Sequence, residues 1–285
     1  MLNVFFNCVT PDNISGDYYS EPKLIMTQEI TNYPVVLCFS GHDATSGAGI
    51  AADIETLRAL KCHPSAVVTA ITVQDTRDVQ KFVPVDAPLV VEQARAIFAD
   101  IQVAVIKIGL IGSVDNLGAI CALLREYPAI PVVFDPILRA GGGTLLADRA
   151  LTHAISELLL PLTTIITPNL DEARALAPHF NSVDDCAAAI LAHGTRYVVI
   201  TGADVPTATV INTFYGADNS RESFSWPRLS QTYHGSGCTL AAGIAGFFAH
   251  NFAPLPAVIA AQEFTWQALR RGYRIGKGQF IPGRI

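Results

Sequence analysis

The sequence predicts an α/β protein in which a mostly parallel central sheet is covered by helices on both faces. From Pro34 onward, short runs rich in Val, Ile and Leu alternate with longer helical stretches. The strand runs are apolar almost throughout, which is typical of strands that are buried on both faces of a sheet. Strands that alternate with helices in this way are joined by right-handed crossover connections.

The individual elements follow from these runs in chain order. The apolar strand runs lie at residues 35–39, 67–73, 103–108, 131–134, 164–166, 197–201 and 209–214. The helical stretches between and after them lie at about 47–60, 87–100, 114–126, 148–160, 170–177, 184–193, 238–250 and 255–272. Segment 209–233 is β-rich, which predicts a late antiparallel piece. The most apolar stretch, 239–261, contains Asn251, Pro254 and Pro256, so we expect two helices there and no membrane span, which needs about 20 uninterrupted apolar residues.

The composition is that of a chain with a large buried core. Of its 285 residues, 50% are hydrophobic and 15% are charged, against a usual charged share of about 25%. The formal net charge is -6 and no long run of Lys or Arg occurs, which argues against partners such as nucleic acid or an anionic membrane. An anion is therefore expected to bind at a local site.

The cysteines and the first residues indicate a cytoplasmic protein. Six cysteines occur without the C-x-x-C spacing of a zinc site or the pattern of a disulfide scaffold, which suits a reducing cytosol. No signal peptide is expected, because the first basic residue is Lys23 and Asn7 interrupts the short apolar start.

Residues 1–33 differ from the rest of the chain because they are polar and lack clear periodicity. The only methionines are Met1 and Met26. Either Met26 is the true start and the residues before it are an extension, or the segment is an unstructured arm. Residues 34–285 are expected to form a single domain.

Polar or glycine-rich clusters follow six of the strands. Ligands of an open α/β sheet bind beyond the carboxyl ends of its strands, so these clusters predict a small-molecule site at one edge of the sheet. The clusters are residues 40–43, 74–75, 107–109, 135–136, 167–169 and 202–204.

The first glycine-rich segment, residues 41–53, lies between a strand and a helix. Gly47, Gly49 and Ala52 match the spacing of a dinucleotide-binding fingerprint, but six residues from Gly41 to Gly47 are too many for its tight turn. Small residues that let the helix pack on the sheet are the alternative. The chain has no G-x-x-x-x-G-K-[ST] motif, which excludes a P-loop enzyme.

The second glycine-rich segment, residues 234–239, precedes a long apolar helix. Gly235 and Gly237, with Ser236 between them, let backbone N–H groups converge, and the positive end of the helix completes a cradle for a phosphate or a transferring phosphoryl group. Cys238 lies in the first turn, where a thiol is expected to have a depressed pKa and to be reactive or basic near neutrality. A small buried cysteine is the alternative.

A third element, at residues 169–172, combines an amide and a carboxylate. Asn169 and Glu172 lie three residues apart at the start of a helix, so they face the same side of its first turn. They can hold hydrated magnesium near nucleotide phosphates, or they can form a helix cap, and the two roles are compatible. Asp135 ends an apolar strand and is a further candidate for holding a metal ion or water.

Together these motifs resemble the hydroxymethylpyrimidine and phosphomethylpyrimidine kinases of thiamine biosynthesis, a branch of the ribokinase-like superfamily. The resemblance extends over about residues 34–280. It is carried, in this order and spacing, by residues 40–53, 68–77, 106–110, 135–137, 159–162, 166–173 and 234–240.

The resemblance implies a three-layer ribokinase-like fold and transfer of the γ-phosphoryl group of ATP to 4-amino-5-hydroxymethyl-2-methylpyrimidine and then to its monophosphate. It also implies a homodimer. By matching motif positions, Cys238 is the catalytic base and Gly235, Ser236 and Gly237 form the anion hole. The pyrimidine pocket is expected to be lined by Gly41, Ala48, Asp53, Gln74 and Ile137, and Mg²⁺ and the nucleotide to be held by Asp135, Asn169, Glu172 and Thr201.

The chain departs from the family pattern at three places. Residues 139–143 read Arg-Ala-Gly-Gly-Gly where relatives often have Ala-Lys-Ser-Gly, and residues 201–203 read Thr-Gly-Ala where many have Lys-Gly-Gly. His42 replaces a small hydroxyl residue. A lost lysine weakens charge stabilisation near the phosphates, and Arg139 is not an equivalent replacement.

Three other functions stay open at this point. A pyridoxal or pyridoxine kinase shares the fold and the second glycine-rich segment. The missing lysines are compatible with a non-catalytic pyrimidine-binding regulatory protein, and the fingerprint at Gly47 with a dehydrogenase. Turnover of pyridoxal, pyrimidine binding without ATP consumption, and binding of a nicotinamide cofactor distinguish these alternatives.

Overall fold

The computed structural model describes residues 33–285, which form a nine-stranded sheet with helices on both faces. The strands are β1 (Val35–His42), β2 (His63–Gln74), β3 (Val79–Pro84), β4 (Val103–Ile108), β5 (Val132–Phe134), β6 (Ile165–Ile166), β7 (Tyr197–Ile200), β8 (Thr209–Gly216) and β9 (Arg221–Pro227). The helices are α1 (Gly49–Ala59), α2 (Ala87–Asp100), α3 (Val114–Glu126), α4 (Arg149–Ala154), α5 (Leu170–Leu176), α6 (Val183–Ala192), α7 (Ser236–Ala249) and α8 (Pro254–Arg270). The predictions that concern residues 1–32, including a start at Met26, lie outside the described residues.

The sheet is parallel at its centre and antiparallel at its edges. Its strand order is β3-β2-β1-β4-β5-β6-β7-β8-β9. The neighbours from β2 to β7 pair in parallel, whereas β3, β8 and β9 pair antiparallel with their neighbours. The predicted α/β fold with a mostly parallel sheet is therefore confirmed, and the carboxyl ends of the central strands meet at one edge.

Alternating side chains of the central strands fill two separate cores, which explains why the strand sequences are apolar at nearly every position. In β1, Leu37 and Phe39 join the core under α2, α3 and α6, whereas Val36 and Cys38 join the core under α1, α7 and α8. All four side chains are buried. Burial of apolar surface on both faces stabilises the three-layer arrangement.

Two elements differ from the sequence predictions. Strand β3 was not predicted, because it is an edge strand whose exposed residues include Gln80 and Lys81 and whose only fully buried residue is Val79. The helix predicted over 148–160 is α-helical only to Ala154 and continues as a π-helical turn (Ile155–Leu159) and a 3-10 turn (Leu160–Leu162).

The apolar stretch 239–261 forms two helices, as predicted. Helix α7 ends at Ala249 and α8 begins at Pro254. Within residues 33–285, no helix combines the length and the apolar character that a membrane crossing requires.

Candidate active site

Two adjoining chambers lie beyond the carboxyl ends of the parallel strands. The first, of about 270 Å³, is lined by the ends of β1, β2 and β5 and by the first turns of α5 and α7. The second, of about 360 Å³, lies between β8, β9 and α8. Their shared wall consists of Gly141, Thr201, Ala203, Asp204, Tyr233, Ser236, Gly237 and Gln279. A ligand in one chamber can therefore meet a ligand in the other beside the start of α7.

Two loops, each of which overlaps one of the glycine-rich segments, contact each other at this junction. Loop A (residues 43–48) connects β1 to α1, and loop B (residues 228–235) connects β9 to α7. Gly235 has φ +87° and caps α7, and a β-carbon on it would clash with the carbonyl oxygen of Gly47. Only glycine tolerates both the left-handed backbone and this close approach. Of the fingerprint glycines, Gly47 serves contact between the loops, because a β-carbon on it would clash with His234, whereas Gly49 (φ +58°) closely approaches the carbonyl oxygen of Gly41.

Helix α7 presents its amino-terminal turn to both chambers. Ser236 and Gly237 line the two chambers, and Cys238 lines the first. The first N–H groups of a helix have no intrahelical partner, and the helix dipole makes this end positive. Gly235, Ser236 and Gly237, the predicted anion hole, therefore stand where a phosphoryl group would pass from one chamber to the other.

Asp43 fixes the shape of loop A and joins it to loop B. Its carboxylate accepts hydrogen bonds from the backbone N–H groups of Thr45 (2.8 Å) and Ala48 (2.9 Å), and its Oδ2 lies 2.8 Å from His234 Nε2. Burial raises the pKa of Asp43, but the hydrogen bonds from His234 and Thr45 outweigh burial and lower it overall. Sequence reasoning missed Asp43 and His234, for which the Asp-x-Thr turn pattern is the available signal.

Asp53 does not line the first chamber, in contrast to its predicted role in the pyrimidine pocket. It lies in α1 with no exposed surface, accepts a hydrogen bond from Ser40 Oγ (2.6 Å) and pairs with Lys107 Nζ at 2.9 Å. Helix α1 packs on the sheet with the face that carries Asp53. The Asp53 carboxylate therefore points to Lys107 in β4.

Lys107 is a buried cation beneath the first chamber. It has no exposed surface, and although burial lowers its pKa, the Asp53 carboxylate raises it well above the ordinary value. Its charge also acts on Asp135 and Cys238. Sequence reasoning missed Lys107 as a functional residue, because a single lysine in an apolar strand gives no sign of its partner in a distant helix.

The prediction of a depressed pKa for Cys238 is wrong. Burial raises the pKa of this thiol to about 12, with the neighbouring Asp135 carboxylate adding to the rise, and Lys107 and the Gly49 backbone offset it only in part. Position at a helix start lowers a thiol pKa when the thiol is solvated, but the Cys238 side chain is buried.

Asn169 and Glu172 form a complete capping box at the start of α5. Asn169 Oδ1 accepts from the Glu172 N–H and Glu172 Oε2 accepts from the Asn169 N–H, both at 2.9 Å. Both residues also line the first chamber. Burial, and then the nearby Asp135, raise the pKa of Glu172 to about 8.

The donors around Asp135 fit a magnesium ion that is shared with phosphate oxygens. Asp135 Oδ2 is buried without a hydrogen-bond partner, and carboxylate oxygens are the ligands that Mg²⁺ prefers. Within residues 33–285 no group of three or more His, Cys, Asp or Glu side chains is placed to hold a metal. Magnesium commonly takes one or two carboxylates together with substrate phosphates and water.

The structure brings the other predicted site residues together. Gly41, Ala48, Gln74 and Ile137 line the first chamber, and Thr201 belongs to the wall between the chambers. Among the described residues, no lysine lines either chamber. Arg139 lines the first chamber and Arg228 the second.

Several proteins are similar to this chain in sequence or in fold. The chain is 35% identical over 249 residues to the thiamine biosynthesis bifunctional protein ThiED of Geobacter sulfurreducens, covering 85% of this chain and about half the length of that protein. It is 37% identical over 254 residues to the hydroxymethylpyrimidine/phosphomethylpyrimidine kinase of Streptomyces coelicolor, covering 86% of this chain and 92% of that protein.

The solved structure of a Bacillus subtilis pyridoxal kinase in complex with ADP superposes with a TM-score of 0.82 at 27% identity, covering 88% of this chain and 97% of that one. A family model described as phosphomethylpyrimidine kinase matches residues 43–282. That match includes loop A, the capping box of α5 and the first turn of α7. The resemblance seen in the motifs is thereby confirmed, and the chain belongs to the phosphomethylpyrimidine kinase family.

Proposed function

We propose that this chain transfers the γ-phosphoryl group of ATP to 4-amino-5-hydroxymethyl-2-methylpyrimidine, and then to its monophosphate, in thiamine biosynthesis. The observation that carries the proposal is the pair of chambers that meet at the start of α7. A bisubstrate phosphoryl transfer needs an acceptor and a nucleotide that approach each other at one anion-stabilising point.

The first chamber suits the aminopyrimidine. The Gln74 amide can donate to and accept from the edge of an aminopyrimidine ring, and Ala48, Ile137 and Leu110 supply apolar wall. The acceptor hydroxymethyl group would then face Cys238 and the start of α7. Asp53 is not among the residues that line this chamber, and its carboxylate pairs with Lys107.

The second chamber suits the nucleotide. Trp226, Trp266 and Leu240 line it, and aromatic and apolar walls are typical of a site for a planar base. The phosphates would extend to the shared wall, where Thr201 lies. Arg228 there is held by the carbonyl oxygens of Ala203, Val205 and Thr207, so its charge stabilises the 203–207 loop.

Asp135, with Glu172 and Asn169, would hold a magnesium ion, which would neutralise phosphate charge when bound. The chain's own residues orient the acceptor and stabilise the transferring group through the N–H groups at the start of α7. For Cys238 to accept the hydroxyl proton it must first become a thiolate. Lys107 favours the thiolate and the Asp135 carboxylate opposes it, so a cation on Asp135 would favour it as well.

The first test measures ATP consumption with hydroxymethylpyrimidine for the unmodified protein, Cys238→Ala and Cys186→Ala. Cys186 is a buried cysteine of the α6 core that lines neither chamber, so its variant controls for loss of a buried thiol. We expect Cys238→Ala to lower turnover about 10²–10⁴-fold, the usual effect of removing a general base, with Cys186→Ala nearly unchanged. Unimpaired turnover in Cys238→Ala would remove Cys238 from this role.

Pyridoxal phosphorylation is a second candidate activity, favoured by the close superposition on a pyridoxal kinase. The same assay with pyridoxal decides between them through the ratio of kcat/KM values. If neither compound supports ATP consumption although hydroxymethylpyrimidine binds, the non-catalytic binding function becomes the better proposal.

We further propose that the protein is a cytoplasmic homodimer. Ile71 and Val73 of β2 and Val83 of β3 are about half exposed, and Ile71 and Val83 lie opposite each other in the sheet. An apolar patch of this kind is a common interface between copies of a chain. Light scattering of the unmodified protein and of Ile71→Lys tests it: a monomeric unmodified protein would contradict the proposal.

A further inference from the structure

Residues 278–284 pass between the loops that build the site. Gln279 N donates to Thr76 O (2.8 Å), Phe280 N donates to Thr232 O (2.9 Å), and Phe280 O accepts from His234 N (2.8 Å). This segment therefore connects the loop after β2 to loop B by backbone hydrogen bonds, and it ends with Arg284 inside the molecule.

Arg284 is buried at 2% exposure. Its Nη2 donates to Gly47 O (2.6 Å), its Nε donates to Thr239 Oγ1 (2.9 Å), and its Nη1 donates to Glu55 Oε2 (2.9 Å). Each bond is charge-assisted, and the side chain itself has no access to water, which makes such bonds strong. Arg284 lines neither chamber, so it does not touch a bound substrate.

The acceptors of Arg284 belong to loop A, to helix α1 and to helix α7, whose first turn follows loop B. Gly47 is in loop A, and its carbonyl oxygen lies where a β-carbon of Gly235 would be. Thr239 donates from Oγ1 to Gly235 O at 2.7 Å. The guanidinium group thus holds Gly47 directly and Gly235 through one hydroxyl, on the side opposite to the chambers.

We propose that Arg284 is a positioning residue that sets the distance between loop A and the anion hole formed by Gly235, Ser236 and Gly237. It acts through Gly47 and Thr239, and it rests on the proposed phosphoryl transfer only for its effect on rate. Three donors at fixed angles are required, which a guanidinium provides and an ammonium group does not. Displacement of a reacting group by about 1 Å can cost about 10²-fold in rate.

The test compares Arg284→Lys and Arg284→Met with Glu55→Gln. Glu55→Gln removes the ion pair with Arg284 but leaves the bonds to Gly47 and Thr239 in place, so it controls for loss of charge pairing. At a temperature where circular dichroism shows each variant folded, we expect kcat to fall about 10–100-fold in both Arg284 variants, with KM for ATP changed much less. Glu55→Gln should stay within a few-fold of the unmodified protein.

A merely structural role would lower the melting temperature without changing kcat of the folded protein, and that result overturns the proposal. Hydrogen exchange gives a readout that does not depend on catalysis: the amides of residues 44–48 and 234–239 should exchange faster in Arg284→Lys than in Glu55→Gln. Unchanged exchange in both segments also overturns it. If the unmodified protein phosphorylates neither candidate substrate while exchange rises as expected, the proposed function fails and the positioning role of Arg284 stands.

Discussion

Lys107 and Asp53 form an ion pair that is fully buried from water. Nζ of Lys107 lies 2.9 Å from Asp53 Oδ1 and 3.2 Å from Ser40 Oγ. Removal of one partner from such a pair leaves an uncompensated buried charge, whereas replacement of both by apolar groups is often tolerated. The pair therefore ties α1 to β4 and keeps a positive charge below Asp135.

Lys107→Met should lower the free energy of unfolding by about 3–5 kcal/mol, because the Asp53 carboxylate loses its counter-charge. Lys107→Met combined with Asp53→Leu should recover much of that loss but not the catalytic rate, since the charge beneath Asp135 and Cys238 is absent in both. Urea unfolding and the ATP assay measure the two effects. The control is Lys81→Met on the exposed strand β3, expected within about 0.5 kcal/mol. Full activity in the double variant would contradict the electrostatic role of Lys107.

Which individual residues form the site could be predicted better than their ionisation states. Local sequence located Cys238 at a helix start and Asp135 at a strand end. The pKa of Cys238 depends on Asp135 and on the burial of the first turn of α7, in which Cys238 lies. Contacts between residues so far apart in the sequence are set by the packing of the whole sheet. The motif position of Asp53 predicts a chamber residue, because the sequence alone does not show that helix α1 pairs it with Lys107 of strand β4.

At the scale of elements, the first turn of α5 has two roles. Its capping box satisfies backbone groups at the helix start, and the same two side chains line the first chamber. Sequence spacing alone favours the cap and is compatible with both roles, and the observed hydrogen bonds establish the cap.

Substitutions at Asn169 separate the cap from the proposed contact with magnesium or nucleotide. Asn169→Asp keeps an oxygen that can cap the helix, whereas Asn169→Ala should cost about 0.5–2 kcal/mol of stability. If Asn169 acts on the ligand, Asn169→Asp should retain stability in urea unfolding yet lose catalytic rate.

Ser182→Ala is the matched control, because Ser182 caps α6 by accepting from Asp185 N (3.0 Å) far from the chambers. It should lose stability to a similar degree and keep its activity. Full activity in Asn169→Asp would leave Asn169 with the cap alone.

The elements that were hard to predict are those without a regular pattern. Six central strands and most helices agree with the periodicity to within a few residues, because each buries both faces or one stripe. Strand β3 has polar, exposed residues and little to distinguish it from a loop. The turn at 155–162 changes hydrogen-bond spacing inside an apolar run, which composition does not reveal.

At the scale of the whole molecule, the chambers proposed for the acceptor and for the nucleotide lie side by side along one edge of the sheet. The chain has two tryptophans, and Trp226 and Trp266 both line the second chamber, with ring centroids 6.0 Å apart. Neither lines the first chamber. Intrinsic fluorescence is therefore a direct probe of the second chamber.

Addition of ADP should change the tryptophan emission in a saturable way, because the base would enter beside both indole rings. Hydroxymethylpyrimidine alone should bind, as followed by calorimetry, with much less change in emission. Trp266→Phe should reduce the ADP response without abolishing it. If calorimetry detects ADP binding but the tryptophan emission does not change, the nucleotide binds outside the second chamber.

The path of residues 278–284 also has a consequence for biosynthesis. Loop A is made near the beginning of the domain, and loop B follows about 190 residues later, yet both depend on Arg284 for their spacing. A chain on the ribosome can form much of the sheet as it emerges, since domains generally fold as units during synthesis. The two loops gain their shared partner only after residue 284 has been added, so a nascent chain that stops short of Arg284 carries both loops without the group that joins them.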